Sequence, residues 1–420
     1  MNHFQRQGGE LYCEQVPLSE LAVEVGTPAY VYSTATLLRH ARVFRSALRG
    51  LDLLACFAVK SAPNLALLSL FAREGYGFDI VSGGELFRAL QAGADARKIV
   101  FSGVGKRQEE MAAALEAGIF QFNCESEEEL EQLSQVAARK KAIAAVALRV
   151  NPDVNARTHP HIATALSSSK FGVPAPRARK AYRLAAALPG IRVVGVACHI
   201  GSQIVSVKPF VEAAGKMRAL VLRLRSDGHG ISRLDMGGGL GVPYGDGPQP
   251  ASPRQYGDAL VRALRGLDVK VLVEPGRLLV ANAGVLLSRV LLRKQGQGAR
   301  RFVVIDAGMN DLMRPALYGA HHELEPVGRP RRGAERVDVV GPVCESADVL
   351  ARRRRLPPLA TGDLVAIRTA GAYGMAMASQ YNARPRPAEV LVDGRSWRII
   401  RARESYKDLI RGESPEGSKP

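Results

Sequence analysis

Between residues 53 and 274 short apolar runs alternate with amphipathic stretches. The runs are LLACFAV (53–59), GFDIV (77–81), KIVFS (98–102), IFQFN (119–123), IAAVALRV (143–150), VVGVACH (193–199), RLDMG (233–237) and KVLVE (270–274). Their length and their β-branched and aromatic content predict strands. Between them lie stretches such as NLALLSLFAREG, GELFRALQAG, EEMAAALEAG and PFVEAAGKMRALVLRLRS, with apolar residues at helical spacing, and a further helical pattern covers 34–48. Eight strand–helix alternations in about 240 residues predict an α/β fold, an eight-stranded (β/α)8 barrel, with a doubly wound open sheet as the alternative.

After about residue 282 the rhythm changes. FVVID, RVDVVG, DLVAIRTAG, AEVLVDG and WRII are short β-like runs split by Gly, Pro and charged loops. They predict a second, mostly antiparallel β-sandwich or barrel domain over 283–420. Residues 1–34, with strand-like AYVYS, are expected to join it, leaving the barrel to 35–282. The polar tail 413–420 is expected to lack structure.

In an α/β barrel the chemistry sits at the carboxyl ends of the strands, and the unusual residues fall there. Lys60 ends the first run. Asp79 and SGGE (82–85) end the second, and Arg149 and Asn151 the fifth. His199 with IGSQ ends the sixth, GGGLG (237–241) the seventh and EPGR (274–277) the eighth. Alone, Lys60 would mark a strand surfacing into water, the glycines a tight turn, and His199 a satisfied strand-end histidine. Together they read differently. The glycine backbone can cradle a phosphate dianion, and Arg277 adds positive charge. Glu274, a carboxylate beside that phosphate, needs a cation to face, such as a protonated ring nitrogen. His199 is flat enough to lie against a ring. An amine, a phosphate cradle, a flat side chain and that carboxylate describe a site for pyridoxal 5′-phosphate, held by Lys60 as a Schiff base.

The ordered motifs TPAYVYS, FAVKSAPN, GFDIVSGGEL, FSGVGK, LRVNPDV, THPHIAT, KFG, HIGSQI, DMGGGLG, EPGR, DAGMNDLMRPALY, GPVCESAD and GAYGMAMASQYNARPRPAEV span nearly the whole chain. This set resembles the diaminopimelate decarboxylase family, within the alanine-racemase-like (fold-type III) pyridoxal-phosphate decarboxylases. The resemblance implies decarboxylation of meso-2,6-diaminopimelate at its D centre to L-lysine, the last step of lysine biosynthesis. It assigns Lys60, His199 and Cys344 to catalysis. It assigns the cofactor to Lys60, His199, Ser202, Gly237, Gly238, Gly239, Glu274, Pro275, Gly276, Arg277 and Tyr373. It gives the substrate to Arg277, Arg314, Tyr318, Glu345 and Tyr373, and implies a homodimer in which Cys344 reaches the partner's site. Phe57 stands where the family has Tyr, Ser61-Ala62 where it has Ala-Asn, and Ala165 where Gly is common. The arginine run 351–355 is expected to be a lineage-specific loop.

Composition narrows the alternatives. With 420 residues and 46% hydrophobic content there is ample material for two cores. No run of about 18 apolar residues suggests a membrane span, and the N-terminus lacks a signal-peptide core, so a cytoplasmic protein is expected. Five cysteines, at 13, 56, 124, 198 and 344, form no CxxC pair, and no disulfide framework or metal site is expected. The net charge of +18 comes largely from scattered Arg, without interleaved aromatics, and no nucleic-acid partner is expected. An amino-acid racemase would need a weaker electron sink than Glu274 provides. Decarboxylases of ornithine, arginine or carboxynorspermidine act on substrates without the same distal amino-acid end. A non-enzymatic pyridoxal-phosphate-binding protein would be a single short barrel.

Overall fold

A computed structural model describes residues 2–155, 170–245, 247–415 and 417. The THPHIAT motif, Ala165 and part of the tail lie outside the described residues. The chain forms two compact units: Leu38–Pro243 with Pro248–Leu279, and Met1–Leu37 with Tyr244–Gly247 and Val280–Pro420.

In the first unit eight parallel strands close into a barrel: Leu53–Ala58, Gly77–Ile80, Ile99–Phe101, Gln121–Cys124, Ala144–Asn151, Ile191–Ala197, Arg233–Asp235 and Lys270–Val273. Leu53–Ala58 pairs with Gly77–Ile80 on one side and Lys270–Val273 on the other, which leaves no open edge there. Several of the helices that follow the strands start at a side-chain cap. Ser82 accepts from the Glu85 N–H and Ser126 from the Glu129 N–H, satisfying amides that have no partner inside the helix. Ser252 and Gln255 form a reciprocal capping box ahead of Pro253–Leu264. Between strands and helices the packing is aromatic. Phe57 is fully buried, its ring centre 4.3 Å from that of Phe71 and edge-on to Phe78. The position where a tyrosine was expected therefore belongs to apolar packing.

In the second unit a nine-stranded, mostly antiparallel sheet is organised by one long strand, Gly284–Gln295. Its first half pairs with Ala29–Ser33 and Leu364–Ile367, and its second half with Arg301–Ile305. Two pairs are parallel: Ala29–Ser33 with Ala388–Asp393, and Arg301–Ile305 with Glu335–Val340. The arginine run corrects the expected loop: it lies in strand Val349–Leu356, at the end of the sheet. Arg355 faces Arg336 across the ladder, and Arg353 sits at a bulge with φ of 46°, its N–H bonded to Asp338 Oδ1 at 2.6 Å. Charged side chains and a bulge on an edge strand discourage pairing with another sheet.

Candidate active site

The carboxyl ends of the barrel strands gather the barrel's expected site residues. The first strand stops at Ala58, and Lys60 stands one step further on, in the single 3-10 turn Val59–Ser61. This corrects the picture of a lysine anchored in the strand itself. The turn is pinned by Ser61 Oγ, which donates to Ala58 O at 2.7 Å. Lys60 Nζ then lies 2.8 Å from Oδ2 of the fully buried Asp79. The other Asp79 oxygen, Oδ1, has no hydrogen-bond partner among the described residues.

The turn Gly237–Gly239 follows the seventh strand and fits a phosphate cradle. A Cβ on Gly237 would sit 2.6 Å from Cys198 O and 2.8 Å from His199 Nδ1, and one on Gly238 would collide with the Glu274 carbonyl. Gly237 and Gly239 also have φ of 65° and 113°, a backbone that side chains disfavour. Gly237 N–H donates to Asp235 Oδ1 at 2.9 Å, and Gly238 N–H to His199 Nδ1 at 3.1 Å. Because Nδ1 accepts, the ring proton is on Nε2. Burial, then the charges of Arg149 and Lys60, pull the His199 pKa well below the usual histidine value, so the ring is neutral. Arg277 Nη2 donates to Ser202 Oγ at 3.0 Å. Pro275 and Gly276 bring the chain back to the first strand: the Pro275 carbonyl accepts from Ala58 N–H at 3.1 Å, and a Cβ on Gly276 would meet Ala58 and Ser61 at 3.1 Å.

Glu274 closes a polar network inside the barrel that sequence reasoning missed. Asn123 Nδ2 lies 3.0 Å from Asp235 Oδ2, 3.1 Å from Ser102 Oγ and 3.5 Å from Glu274 Oε1. Gln121 Nε2 donates to Asn123 Oδ1 at 2.8 Å, which fixes the amide. Glu274 and Asp235 share a hydrogen bond. Burial first, then the Asp235 and Asp79 charges, push the Glu274 pKa well up. Two buried carboxyls in contact cannot both ionise, so the pair shares a proton. Nearby, burial raises Glu85 to about 7, against the opposing effect of its hydrogen bond from Val81 N–H. The only sequence signal for Asp235 and Asn123 was their polarity inside strands whose neighbours are apolar.

The remaining expected residues belong to the second unit. Arg314 opens the short helix Arg314–Tyr318 and is buried. Its guanidinium lies 4.7 Å from the Tyr244 ring centre, and Nη1 is 2.9 Å from His322 Nε2. His322 Nδ1 is 2.9 Å from Arg368 O, so Nδ1 carries the proton and Nε2 accepts from the arginine. His322 thus orients Arg314, a role invisible in the string HHEL. Cys344 and Glu345 are exposed; the Cys344 N–H donates to Asn382 Oδ1 at 2.7 Å, and Tyr381 OH to Glu345 Oε2 at 3.1 Å. Tyr373 has φ of 56°, the left-handed region that a bulky side chain rarely occupies.

Residues 34–281 match the pyridoxal binding domain of the pyridoxal-dependent decarboxylases. The diaminopimelate decarboxylase of Pseudomonas aeruginosa is 50% identical over 415 residues, 99% of either chain. The chain belongs to the diaminopimelate decarboxylase family. Among solved structures, the M. jannaschii diaminopimelate decarboxylase in complex with L-lysine superposes with a TM-score of 0.94 at 38% identity, covering 99% of each chain. The Helicobacter pylori diaminopimelate decarboxylase complexed with L-lysine gives 0.90 at 39% identity, covering 94% of this chain and 98% of that one. As a family member the chain is a pyridoxal-phosphate-dependent carboxy-lyase. The glycine turn at the carboxyl end of the barrel, the lysine paired with a buried aspartate and the carboxyl pair that shares a proton all fit that cofactor.

Proposed function

We propose that the protein removes the carboxylate at the D centre of meso-2,6-diaminopimelate, giving L-lysine and carbon dioxide, as the last step of lysine biosynthesis in the cytoplasm. The observation that carries the chemistry is the pairing of Lys60 with buried Asp79 at the same barrel end as the glycine turn and Glu274.

Bound pyridoxal phosphate supplies the electron sink that accepts the electrons released when the carboxylate leaves. Lys60 supplies the amine that holds the cofactor, and Asp79 keeps that amine oriented. Gly239, Ser202, Gly276 and Arg277 would take the phosphate, while Gly237 and Gly238, whose amides already bond Asp235 and His199, let the chain turn closely around it. Glu274, backed by Asp235 and Asn123, would keep the ring nitrogen protonated. Neutral His199 offers a flat face without adding a charge, and Tyr373 adds a further cofactor contact. Arg277, Arg314 and Tyr318 take the distal carboxylate, arginine giving paired hydrogen bonds, while Glu345 takes the distal ammonium. Cys344 acts in the partner's site of a homodimer, and the exposure of Cys344 and Glu345 supports that reading.

The test is purified protein with pyridoxal phosphate and meso-diaminopimelate, with lysine as the detected product. Ornithine lacks the distal carboxylate and would forgo its charge-assisted pairing with arginine, so its kcat/KM is expected to be on the order of 10³-fold lower or worse. Comparable values for ornithine or arginine would move the protein to the decarboxylases of those amino acids.

A further inference from the structure

The barrel has a second end. All its strands run in parallel, so the amino ends lie opposite Lys60 and Glu274. There a cavity of about 220 Å³ is lined by Arg97, Ile119, Phe120, Ile143, Arg192 and Arg233, among others. Ile119 and Phe120 lead into Gln121–Cys124, and Ile143 into Ala144–Asn151. Arg192 is the second residue of Ile191–Ala197, and Arg233 the first of Arg233–Asp235.

Arg233 is held in a defined pose. Its guanidinium carbon lies 3.6 Å from the centre of the Phe120 ring, and Nη1 donates to Phe120 O at 2.7 Å. Its register partner is Gly195, where a Cβ would come within 2.8 Å of the Arg233 carbonyl and 2.9 Å of its Cβ. A side chain at 195 would therefore displace the arginine's strand. One carbonyl and one ring face leave most of the five guanidinium N–H donors unspent.

The charges are uncompensated. Burial, then the charge of Arg192, bring the Arg233 pKa down to about 10. Among the described residues neither Arg192 nor Arg233 enters an ion pair, whereas Arg97 is already engaged by Asp95 through two bonds of 3.0 and 3.2 Å. Ile143, 64% exposed, adds an apolar wall open to solvent. Two like charges on a cavity with a mixed polar and apolar lining, one half-buried and rigidly placed, are the elements of an anion site.

We propose that this cavity is a second ligand site, taking a small organic anion whose carboxylate or phosphate head pairs with Arg192 and Arg233 and whose short apolar stem lies against Phe120 and Ile143. The experiment uses the holoenzyme saturated with L-lysine, and titrates hexanoate and hexyl phosphate by saturation-transfer NMR. Saturable binding of at least one probe is expected, and which of them binds identifies the head group. Arg192→Gln and Arg233→Gln should each weaken it at least about 10-fold, as loss of a charge-assisted pair implies. Arg97→Gln should change it by less than about 3-fold, because Asp95 already holds that side chain. Arg192 is exposed, so its variant tests the site even where Arg233→Gln fails to fold. No saturable binding to the wild type, or equal affinity in the Arg192 variant, overturns the proposal. Inorganic phosphate binding as tightly as hexyl phosphate overturns the part played by the apolar wall.

Discussion

The two units hold their candidate site residues in opposite ways. In the barrel, buried partners fix them: Asp79 against Lys60, Asp235 and Asn123 against Glu274, the Gly238 amide against His199. In the β unit only Arg314 is comparably enclosed, between Tyr244 and His322, while Cys344 and Glu345 stand exposed. A buried network is held in place before any ligand arrives, because its hydrogen bonds are already made. An exposed pair acquires its electrostatic strength only when something else excludes water from it. Substitutions should separate these two designs.

The largest effect is expected at Lys60. Lys60→Ala removes the amine, and turnover of meso-diaminopimelate should fall by roughly four orders of magnitude or more, the scale seen when a covalent nucleophile is lost. Borohydride treatment of the wild type followed by peptide mapping should place the cofactor on Lys60; an adduct on another lysine would remove it from its role. Next is Glu274→Gln. The amide cannot hand a proton to the ring nitrogen, and kcat should drop by roughly 10² to 10³-fold with the fold intact. Near wild-type kcat would show that Glu274 does not act on the ring nitrogen.

The contrast explains what the sequence could and could not reveal. The barrel was legible because its pattern repeats, and because Lys60, His199, the glycine run and Glu274 interrupt apolar runs at equivalent places. Asp235 and Asn123 were not, since a polar residue within a three- or four-residue strand looks the same whether it faces the interior or solvent. Gly284–Gln295 escaped notice for a different reason. Its first half is buried continuously and its second half is exposed, so no single alternation runs through it. The run 351–355 read as a loop because four arginines mask the strand that their backbone forms. His322 acts on Arg314 eight residues away in sequence, a contact that only the fold creates.

Exposure of the β-unit pair can be tested by mixing. Lys60→Ala and Cys344→Ala should each be severely impaired alone. Refolded together in equal amounts, about half the dimers should be mixed, each with one intact site and one doubly defective. Activity should return to about a quarter of wild type, given random reassortment and independent sites. A mixture as inactive as its parents, with subunit exchange verified, would mean that Cys344 serves its own chain.

The smallest effects draw the contrast most sharply, because they come from one kind of edit made in both units. Tyr381→Phe removes the hydroxyl that donates to Glu345 at 3.1 Å, and both residues are exposed. Water replaces the lost bond on each side, so stability should move by no more than about 0.5 kcal/mol. Asn123→Leu also deletes polar atoms without much change in volume, but in the barrel interior. It strands the Gln121 amide and removes the donor shared by Ser102, Asp235 and Glu274. These groups are buried, and left unpaired they keep their desolvation cost, so roughly 1–3 kcal/mol should be lost. The Asp235–Glu274 pair also loses the amide that donates to both carboxyls, which should shift the pH dependence of kcat, whereas Tyr381→Phe should leave it unchanged. Urea midpoints and pH profiles of the two holoenzymes decide the matter. Equal destabilisation would mean that the barrel network is no more preorganised than the exposed pair.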